Sequence, residues 1–399
     1  QASPEPSRTA SLSGSKNTRF EVLFTNGLSR GEASPFNAAI AGRRALVVTT
    51  PTVDRVYGAA LRQLLQAQCL EHTYEVMRLG ERRKQLNSVA HLCRLAANVG
   101  LDRRGVLIAI GGGVCSDIVT VAASMIRRGV EHIRVPTTLV GQIDAGIGIK
   151  GAVNGVKSFV GCFHPPAVVF IDPLLLPTLP VQYIGQGLAE ILKMALILDP
   201  NLFLLLERFG PRLVDSRFQE PANEARFVLE QAIRLMLAEL QRNPYEDQTF
   251  ERLVDMGHTF SPTLEARSEF RISHGDAVAL DLALSCAIGV ELGEMTPEAA
   301  SQFIKLLLRL RLPASSHLLT SELCHSAIRS SIAHRGGRLN LVVPRTIGES
   351  TFVGAEALYD GVLEAALDYL RTLAAELARA RPDTRASHFQ GSARATPAL

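Results

Sequence analysis

Short apolar runs alternate with helical patterns over the first half of the chain. Residues 44–50 (RALVVTT) and 106–110 (VLIAI) have the unbroken hydrophobicity of strands that are buried on both faces. Between them, residues 86–100 (LNSVAHLCRLAANVG) carry apolar side chains at helical spacing and end at a glycine, which is typical of an amphipathic helix. This alternation predicts βαβ units and an open, Rossmann-like parallel sheet.

The pattern changes after Pro180, where long helical periodicities dominate. Residues 185–197 (GQGLAEILKMALI) and 276–293 (DAVALDLALSCAIGVELG) are examples. We therefore predict an α/β domain followed by a mostly α-helical domain. The tails are rich in Ser, Pro and Ala and have little to bury, so we expect them to be disordered. The predicted bounds are a tail at 1–16, the α/β domain at 17–179, the helical domain at 180–380 and a tail at 381–399.

Composition narrows the function classes. In 399 residues, 47% are hydrophobic and 20% are charged, which is ordinary for a soluble enzyme. The net charge of +3 comes from scattered Lys and Arg residues, which argues against a nucleic-acid partner. We expect no membrane span, and no signal peptide is visible. The six cysteines form no CxxC pair, which favours reduced thiols and a cytoplasmic location.

The first chemical signal is a glycine turn. Gly111, Gly112 and Gly113 follow an apolar strand and open a helix, so backbone N–H groups there can approach a pyrophosphate. The spacing is not GxGxxG, and a tight strand-to-helix turn explains it about as well. Downstream, Lys150 and Lys157 lie among glycines, where they can fold over an anionic substrate or be ordinary surface lysines.

A second signal is a set of metal-ligand residue types. His258 and His274 are sixteen residues apart, which by itself favours surface or capping histidines. Glu190 and Lys193 share one face of an apolar helix, either as a buried group that needs a partner or as an ion pair on an exposed edge. A Glu/His/His set with open positions suits catalytic zinc.

The order of seven motifs resembles the sugar phosphate cyclase superfamily, which includes dehydroquinate synthase. These motifs are GGGVCSD, RRG, RVPTTL, IDAGIGIK, GLAEILK, GHTFSPTLE and HGD, and the resemblance runs from about residue 45 to residue 375. It implies NAD in the first domain and a divalent metal, zinc or alternatively cobalt, in the second. It also implies a homodimer, because Arg128 is similar to a phosphate-binding arginine that reaches across the dimer in this family.

The resemblance assigns roles residue by residue. The metal ligands are Glu190, His258 and His274. The cofactor-binding positions are Glu81, Lys84, Gly111, Gly112, Gly113, Asp117, Thr137, Thr138, Asp144 and Lys150. The catalytic positions are Asp144, Lys150, Lys193, Asp255 and His334. The substrate-binding positions are Arg128, Asn154, Lys157 and Ser158.

The implied chemistry is a closed redox cycle on a small sugar phosphate. A ring hydroxyl is oxidised by NAD, phosphate is eliminated, the ketone is reduced again, and an internal aldol reaction closes the carbocycle. NAD is regenerated in each turnover and therefore acts as a catalytic cofactor.

Departures from dehydroquinate synthase point to a branch of the family. Glu251 replaces an arginine for the substrate carboxylate, and Asp255 replaces an Asn before the GH motif. Asp255 and His334 resemble features of 2-epi-5-epi-valiolone synthases, which cyclise sedoheptulose 7-phosphate. Desmethyl-4-deoxygadusol synthase, 2-epi-valiolone synthase and 3-dehydroquinate synthase remain alternatives, as do a metal-dependent polyol dehydrogenase and a non-catalytic relative.

Overall fold

The computed structural model describes residues 18–30, 34–69, 71–153, 159–334, 336–358 and 361–379. The chain divides into two compact units, one reaching Pro136 and including Gly148–Asp172, the other formed by Thr137–Ile147 and the residues from Pro173 onward. The predicted disordered tails lie outside the described residues. The domain boundary near residue 179 stays a prediction.

The first unit is built on a parallel sheet in the order β1-β8-β5-β4-β2-β3, beside a separate antiparallel pair β6–β7. Its strands are β1 (Glu21–Phe24), β2 (Arg44–Thr49), β3 (Glu71–Val76), β4 (Val106–Gly111), β5 (Glu131–Pro136), β6 (Lys150–Val153), β7 (Val160–Phe163) and β8 (Val168–Ile171). Its helices are α1 (Ser34–Ile40), α2 (Pro51–Gln68), α3 (Leu86–Asn98) and α4 (Gly113–Met125).

Burial follows the position of each strand in this sheet. The central strands β4 and β8 are buried at every residue, as the unbroken apolar runs predict. The edge strand β3 is half-exposed and carries polar residues. After β2 the chain moves outward to β3, and after β4 it moves to β5 on the other side. The gap between the carboxyl ends of β2 and β4 is therefore a topological switch point, where open α/β sheets bind ligands.

The second unit is mostly helical, as predicted. Its helices are α5 (Val181–Leu198), α6 (Pro200–Asp215), α7 (Ala222–Arg242), α8 (Ser261–Arg267), α9 (His274–Glu291), α10 (Pro297–Arg309), α11 (Ser321–His334) and α12 (Val362–Arg379). An antiparallel hairpin, β9 (Leu341–Thr346) and β10 (Glu349–Val353), interrupts them. A π-helix at Gly141–Ala145 also belongs to this unit.

Helices α5 and α9 form the centre of the second unit. Nearly all residues of α9 are buried, so this helix is apolar on all sides rather than along one stripe. α5 is long and apolar enough to cross a membrane by length and composition alone, yet 72% of it is buried inside the protein. Such burial is what a core helix shows, and α5 carries the predicted carboxylate ligand.

Candidate active site

α5 places a charged pair in the protein interior. Glu190 and Lys193 are 0% and 1% exposed, and the Lys193 Nζ lies 2.6 Å from the Glu190 Oε2. The alternative of an ion pair on an exposed edge is therefore wrong. Two charges taken out of water need strong compensation, so a pair of this kind in an apolar helix indicates a specific task for the pair.

His258 lies on a turn that faces this pair. The 3₁₀ turn Leu253–Asp255 precedes His258 in the chain. The backbone N–H of His258 donates to the carbonyl of Asp255 at 3.0 Å. The Nδ1 of His258 lies 3.0 Å from the Met256 carbonyl, which can accept its proton. With Nδ1 bonded in this way, Nε2 is the ring nitrogen that can act as a metal ligand, and it lies 3.7 Å from the Glu190 Oε1.

His274 is the first residue of α9. Ser273 caps this helix through its side chain, which accepts from the N–H of Asp276. The Nε2 of His274 is 3.2 Å from the Glu190 Oε1, while its Nδ1 is 3.1 Å from a carboxylate oxygen of Glu265. A carboxylate behind a histidine orients the ring and increases its strength as a metal ligand.

These three residues fit a divalent metal. One ligand atom from each of Glu190, His258 and His274 lies within 4.8 Å of the others. Both imidazoles turn an Nε2 toward the same carboxylate oxygen. One carboxylate and two imidazoles form a mixed oxygen and nitrogen donor set that zinc accepts, with positions left for a substrate. The alternative of two unrelated surface histidines is not supported.

Electrostatics keep this cluster charged. Burial alone would raise the pKa of Glu190, but Lys193, His258 and His274 outweigh it and hold this pKa well below its usual range. Burial alone would lower the pKa of Lys193, but the carboxylates of Glu190, Asp144 and Asp255 outweigh it and raise this pKa. Lys193 is thus an ammonium group surrounded by three carboxylates, two of which are predicted catalytic residues.

The first unit contains the glycine turn at its switch point. α2 begins after Thr50 at the end of β2, and α4 begins after Gly112 at the end of β4. Neither of these N-cap residues uses its side chain to cap the helix, so first-turn N–H groups remain for a bound anion. A Cβ on Gly111 would lie 2.7 Å from the Cβ of Cys115, so only glycine allows this tight turn. The site therefore suits a dinucleotide pyrophosphate.

Two further residues that were predicted to bind the cofactor meet beside this turn. Lys84 and Asp117 form an ion pair, both with mostly buried side chains. Asp117 also accepts from the backbone N–H of Ala152 at 3.4 Å, which connects α4 to strand β6. Lys150, at the start of β6, is exposed within this unit. Glu81 is exposed as well and belongs to a 3₁₀ turn, Glu81–Arg83.

The remaining predicted residues are more dispersed. Thr138 lies just before the π-helix that carries Asp144, and its Oγ1 accepts from the N–H of Gly141 at 3.1 Å. Thr137 is buried. Arg128 is exposed in a positive-φ conformation (φ 67°). His334 is the exposed last residue of α11. Predicted substrate contacts outside the described residues are Asn154, Lys157 and Ser158.

A small cavity of about 260 Å³ lies in the second unit, and its lining is mostly polar. It separates a segment just before Asp255 from a segment just after His334. The lining residues are Thr249, Phe250, Glu251, Gly336, Arg338 and Asn340. Glu251, which the sequence singled out as a replacement for an arginine, therefore faces a space that small polar molecules can enter.

Three site-supporting residues were not found from the sequence. Glu265 backs His274, and the buried Asp281 binds the segment after His258. Arg134, fully buried in β5, donates to the carbonyls of Gly148 and Lys150 at 2.6 and 3.1 Å. An acid inside an apolar helix was the available signal for Asp281, as it was for Glu190.

Comparison with known families assigns the chain to a class. The family described as 3-dehydroquinate synthase N-terminal matches residues 74–186, and the family described as 3-dehydroquinate synthase C-terminal matches residues 187–330. The chain therefore belongs to the dehydroquinate synthase-like sugar phosphate cyclases.

Individual relatives narrow the branch. A 2-epi-5-epi-valiolone synthase from Streptomyces glaucescens is 43% identical over 361 residues, which cover 88% of this chain and 92% of the relative. A demethyl-4-deoxygadusol synthase from Trichormus variabilis is 30% identical over 351 residues, covering 86% of this chain and 85% of the relative. The solved structure of a 2-epi-5-epi-valiolone synthase from Streptomyces hygroscopicus subsp. jinggangensis 5008, with NAD⁺ and Zn²⁺ bound, superposes with a TM-score of 0.84 at 36% identity. This superposition covers 92% of this chain and 99% of that one.

Proposed function

We propose that this protein converts sedoheptulose 7-phosphate to 2-epi-5-epi-valiolone and phosphate, and thus acts as a carbon–oxygen lyase on a phosphate ester. The observation that carries this proposal is the convergence of Glu190, His258 and His274 beside the buried Lys193. The higher identity to a 2-epi-5-epi-valiolone synthase than to a demethyl-4-deoxygadusol synthase supports the product.

Glu190, His258 and His274 hold a divalent metal, zinc or alternatively cobalt, in this proposal. The glycine turn Gly111–Gly113, with Asp117 and Lys84 beside it, holds NAD. When bound, the metal supplies Lewis-acid polarisation of sugar oxygens and NAD supplies reversible hydride transfer. The overall reaction is redox-neutral because oxidation and reduction occur within one turnover.

Lys193 stabilises negative charge on the substrate. Its raised pKa keeps it an ammonium group, which is a hydrogen-bond donor only. A donor fixed in a buried site stabilises an oxygen that gains charge more than water does, because it does not reorganise during the reaction. Asp144 and Asp255, whose carboxylates contribute to that pKa, then hold the substrate hydroxyls or accept their protons.

Lys150 and Arg128 bind the departing phosphate, together with Lys157, Asn154 and Ser158. Both Lys150 and Arg128 are exposed within the first unit and so are available to an anion. Arg128 acts across a homodimer, and Glu81, Thr137 and Thr138 complete the cofactor contacts. The lack of a carboxylate on sedoheptulose fits the acidic Glu251 and Asp255, which would repel a carboxylate substrate.

The protein functions in the cytoplasm in this proposal. All six cysteines are free, and burial raises the pKa of Cys115 to about 12, so this thiol stays protonated at neutral pH. Free, buried thiols are typical of a reducing compartment.

The decisive experiment incubates the protein with sedoheptulose 7-phosphate, NAD and zinc. We expect phosphate release, a single C7 cyclitol identified by NMR as 2-epi-5-epi-valiolone, and no accumulation of absorbance at 340 nm. Stoichiometric NADH would favour a polyol dehydrogenase instead. Formation of desmethyl-4-deoxygadusol or of 2-epi-valiolone would assign the protein to one of the alternative activities instead.

A further inference from the structure

Helix α8 begins without a cap of its own. Its N-cap residue is Phe260, whose side chain offers no acceptor, and the hydroxyl of Ser261 donates instead to the Gly257 carbonyl at 2.7 Å. The first N–H groups of a helix need acceptors when they are buried. The acceptor here must therefore come from another part of the chain.

Asp281 of α9 supplies that acceptor. Its Oδ2 accepts from the N–H of Phe260 at 2.6 Å and from the N–H of Ser261 at 2.8 Å. Its Oδ1 accepts from the hydroxyl of Ser285 at 3.3 Å. Asp281 is fully buried, so these bonds compensate for the loss of water around the carboxylate.

Gly257, the residue before His258, packs against the same face of α9. Gly257 has a positive φ of 75°, and a Cβ on it would lie 3.0 Å from Val278 and 3.2 Å from Leu282. Val278, Asp281 and Leu282 have i, i+3 and i+4 spacing, so they lie along one side of the helix. The turn Gly257–Ser261 is thus packed against α9 at its Gly257 end and hydrogen-bonded to α9 at its Ser261 end.

We infer that Asp281 is a positioning residue for the metal site. It fixes the turn that carries His258 onto the helix whose first residue is His274, so that one rigid element determines the distance between the two imidazoles. This inference rests on the proposed metal ligation by Glu190, His258 and His274. Buried supports of this kind typically change metal affinity by about 10- to 100-fold when they are removed.

Asp281→Asn tests this role with little change in volume. The amide oxygen can still accept from the two backbone N–H groups, but the substitution removes the charge that strengthens both bonds. Because buried cap removal also lowers stability, the matched control is Asp199→Asn. Asp199 caps α6 by accepting from the N–H groups of Asn201 and Leu202 at 2.9 and 3.0 Å, and it lies outside the proposed metal site.

The measurement is zinc retention by the zinc-loaded full-length protein against a series of chelator concentrations, together with thermal unfolding. We expect Asp281→Asn to lose zinc at a roughly 10-fold or more lower chelator concentration than wild type, by the usual effect of such supports. Asp199→Asn should lose thermal stability but keep zinc as wild type does. Should Asp281→Asn fail to fold, Asp281→Ser takes its place, because a hydroxyl still accepts one N–H.

Zinc retention by the Asp281 variant within twofold of wild type would overturn the inference. Equal zinc loss in both variants would also overturn it, because the effect would then follow stability alone. Failure of the wild type itself to bind zinc is a different outcome, which would contradict the proposed function rather than the role of Asp281.

Discussion

Glu190 lies among three positive or potentially positive groups. Lys193 contacts one of its oxygens, and both histidines approach the other. This division would let one oxygen bind the proposed metal while the second keeps its ion pair with the ammonium group. In the proposed site, Glu190 therefore links the metal to Lys193.

We expect Glu190→Ala to lose zinc and activity together. Removal of one of three ligands leaves two histidines, which are too few for a catalytic zinc site. Elemental analysis of the purified variant measures the bound metal. Glu230→Ala, on an exposed ion pair of α7, is the control and should keep full occupancy. Full zinc occupancy in Glu190→Ala would show that this carboxylate is not a ligand.

The second prediction at the residue scale concerns which product the enzyme forms. Asp255 contributes to the pKa of Lys193 and lies four residues after Glu251, which lines the cavity. Replacement of Asp255 by Ala and His334 by Thr removes an acid and an imidazole that can hold ring hydroxyls. We expect at least a 10-fold lower rate or a mixed product, since acid–base groups typically contribute about 10²- to 10⁴-fold.

NMR of the cyclitol products measures this outcome. Asp247→Ala with His317→Thr is the matched control, because both residues are exposed and neither is proposed to contact the substrate. A wild-type rate and a single unchanged product from the Asp255 and His334 variant would mean that neither residue directs the reaction.

The sequence predicts ligands better than it predicts their supports. Glu190 stands out because an acid in an apolar helix has an evident cost, and the motif order assigns it a role. Glu265 and Arg134 act through tertiary contacts with His274 and with Lys150, which no local pattern records. Supports of this kind become visible only when neighbours in space are known.

At the scale of elements, strand β5 contains His132, an ionisable residue whose protonation destabilises the folded state. The Nε2 of His132 lies 3.2 Å from the Thr120 hydroxyl, while its Nδ1 is buried and has no hydrogen-bond partner. Thr120 already donates to Ser116, so it accepts from His132. Burial, with Arg134 and His164 nearby, lowers the pKa of His132 well below its usual range.

This feature predicts how stability depends on pH. The unfolded chain binds a proton at His132 below about pH 6.5, whereas the folded chain does not. The contribution of His132 to the free energy of unfolding is therefore fully present above that pH. It is lost as the pH falls, by up to about 1.4 kcal/mol per pH unit. Urea unfolding at pH 7.5 and 5.5 measures the loss.

His132→Gln keeps the donor to Thr120 without the titration and should lose less stability between the two pH values. His317→Gln, at an exposed position, should behave as wild type does. An identical loss in His132→Gln and wild type would contradict the assignment to His132.

Strands and helices were predicted correctly from the sequence where one hydrophobic pattern continues over many residues. The buried strands β2 and β4 and the helices α3 and α5 have regular apolar patterns, and α9 is a long, almost unbroken apolar segment. The π-helix with Asp144 and the hairpin β6–β7 were not predicted, because the glycine-rich segment has no clear period. The hairpin β9–β10 was also missed, since its strands are short and follow helices.

At the scale of the whole molecule, each unit contains its own proposed ligand site. The metal ligands Glu190, His258 and His274 all belong to the second unit, and the glycine turn belongs to the first. A ligand stabilises the folded state by about 2.7 kcal/mol at 100 times its Kd. We therefore expect zinc and NAD to protect different parts of the chain.

Hydrogen exchange followed by mass spectrometry measures this protection. Zinc should slow exchange most in peptides of α9, and NAD should slow it most in peptides of α4. In Glu190→Ala, protection by zinc should disappear while protection by NAD persists. Zinc-dependent protection of α9 in that variant would place the metal elsewhere.

The cavity beside Glu251 and Arg338 has an evolutionary consequence. Its walls are loop residues that are mostly exposed, and substitutions at exposed positions usually change the free energy of unfolding by no more than about 0.5 kcal/mol. The buried helices α5 and α9, by contrast, tolerate few changes because packing fixes nearly every side chain. Descendants of one ancestor can therefore accumulate changes in these loops while the residues of the proposed metal site are inherited unchanged.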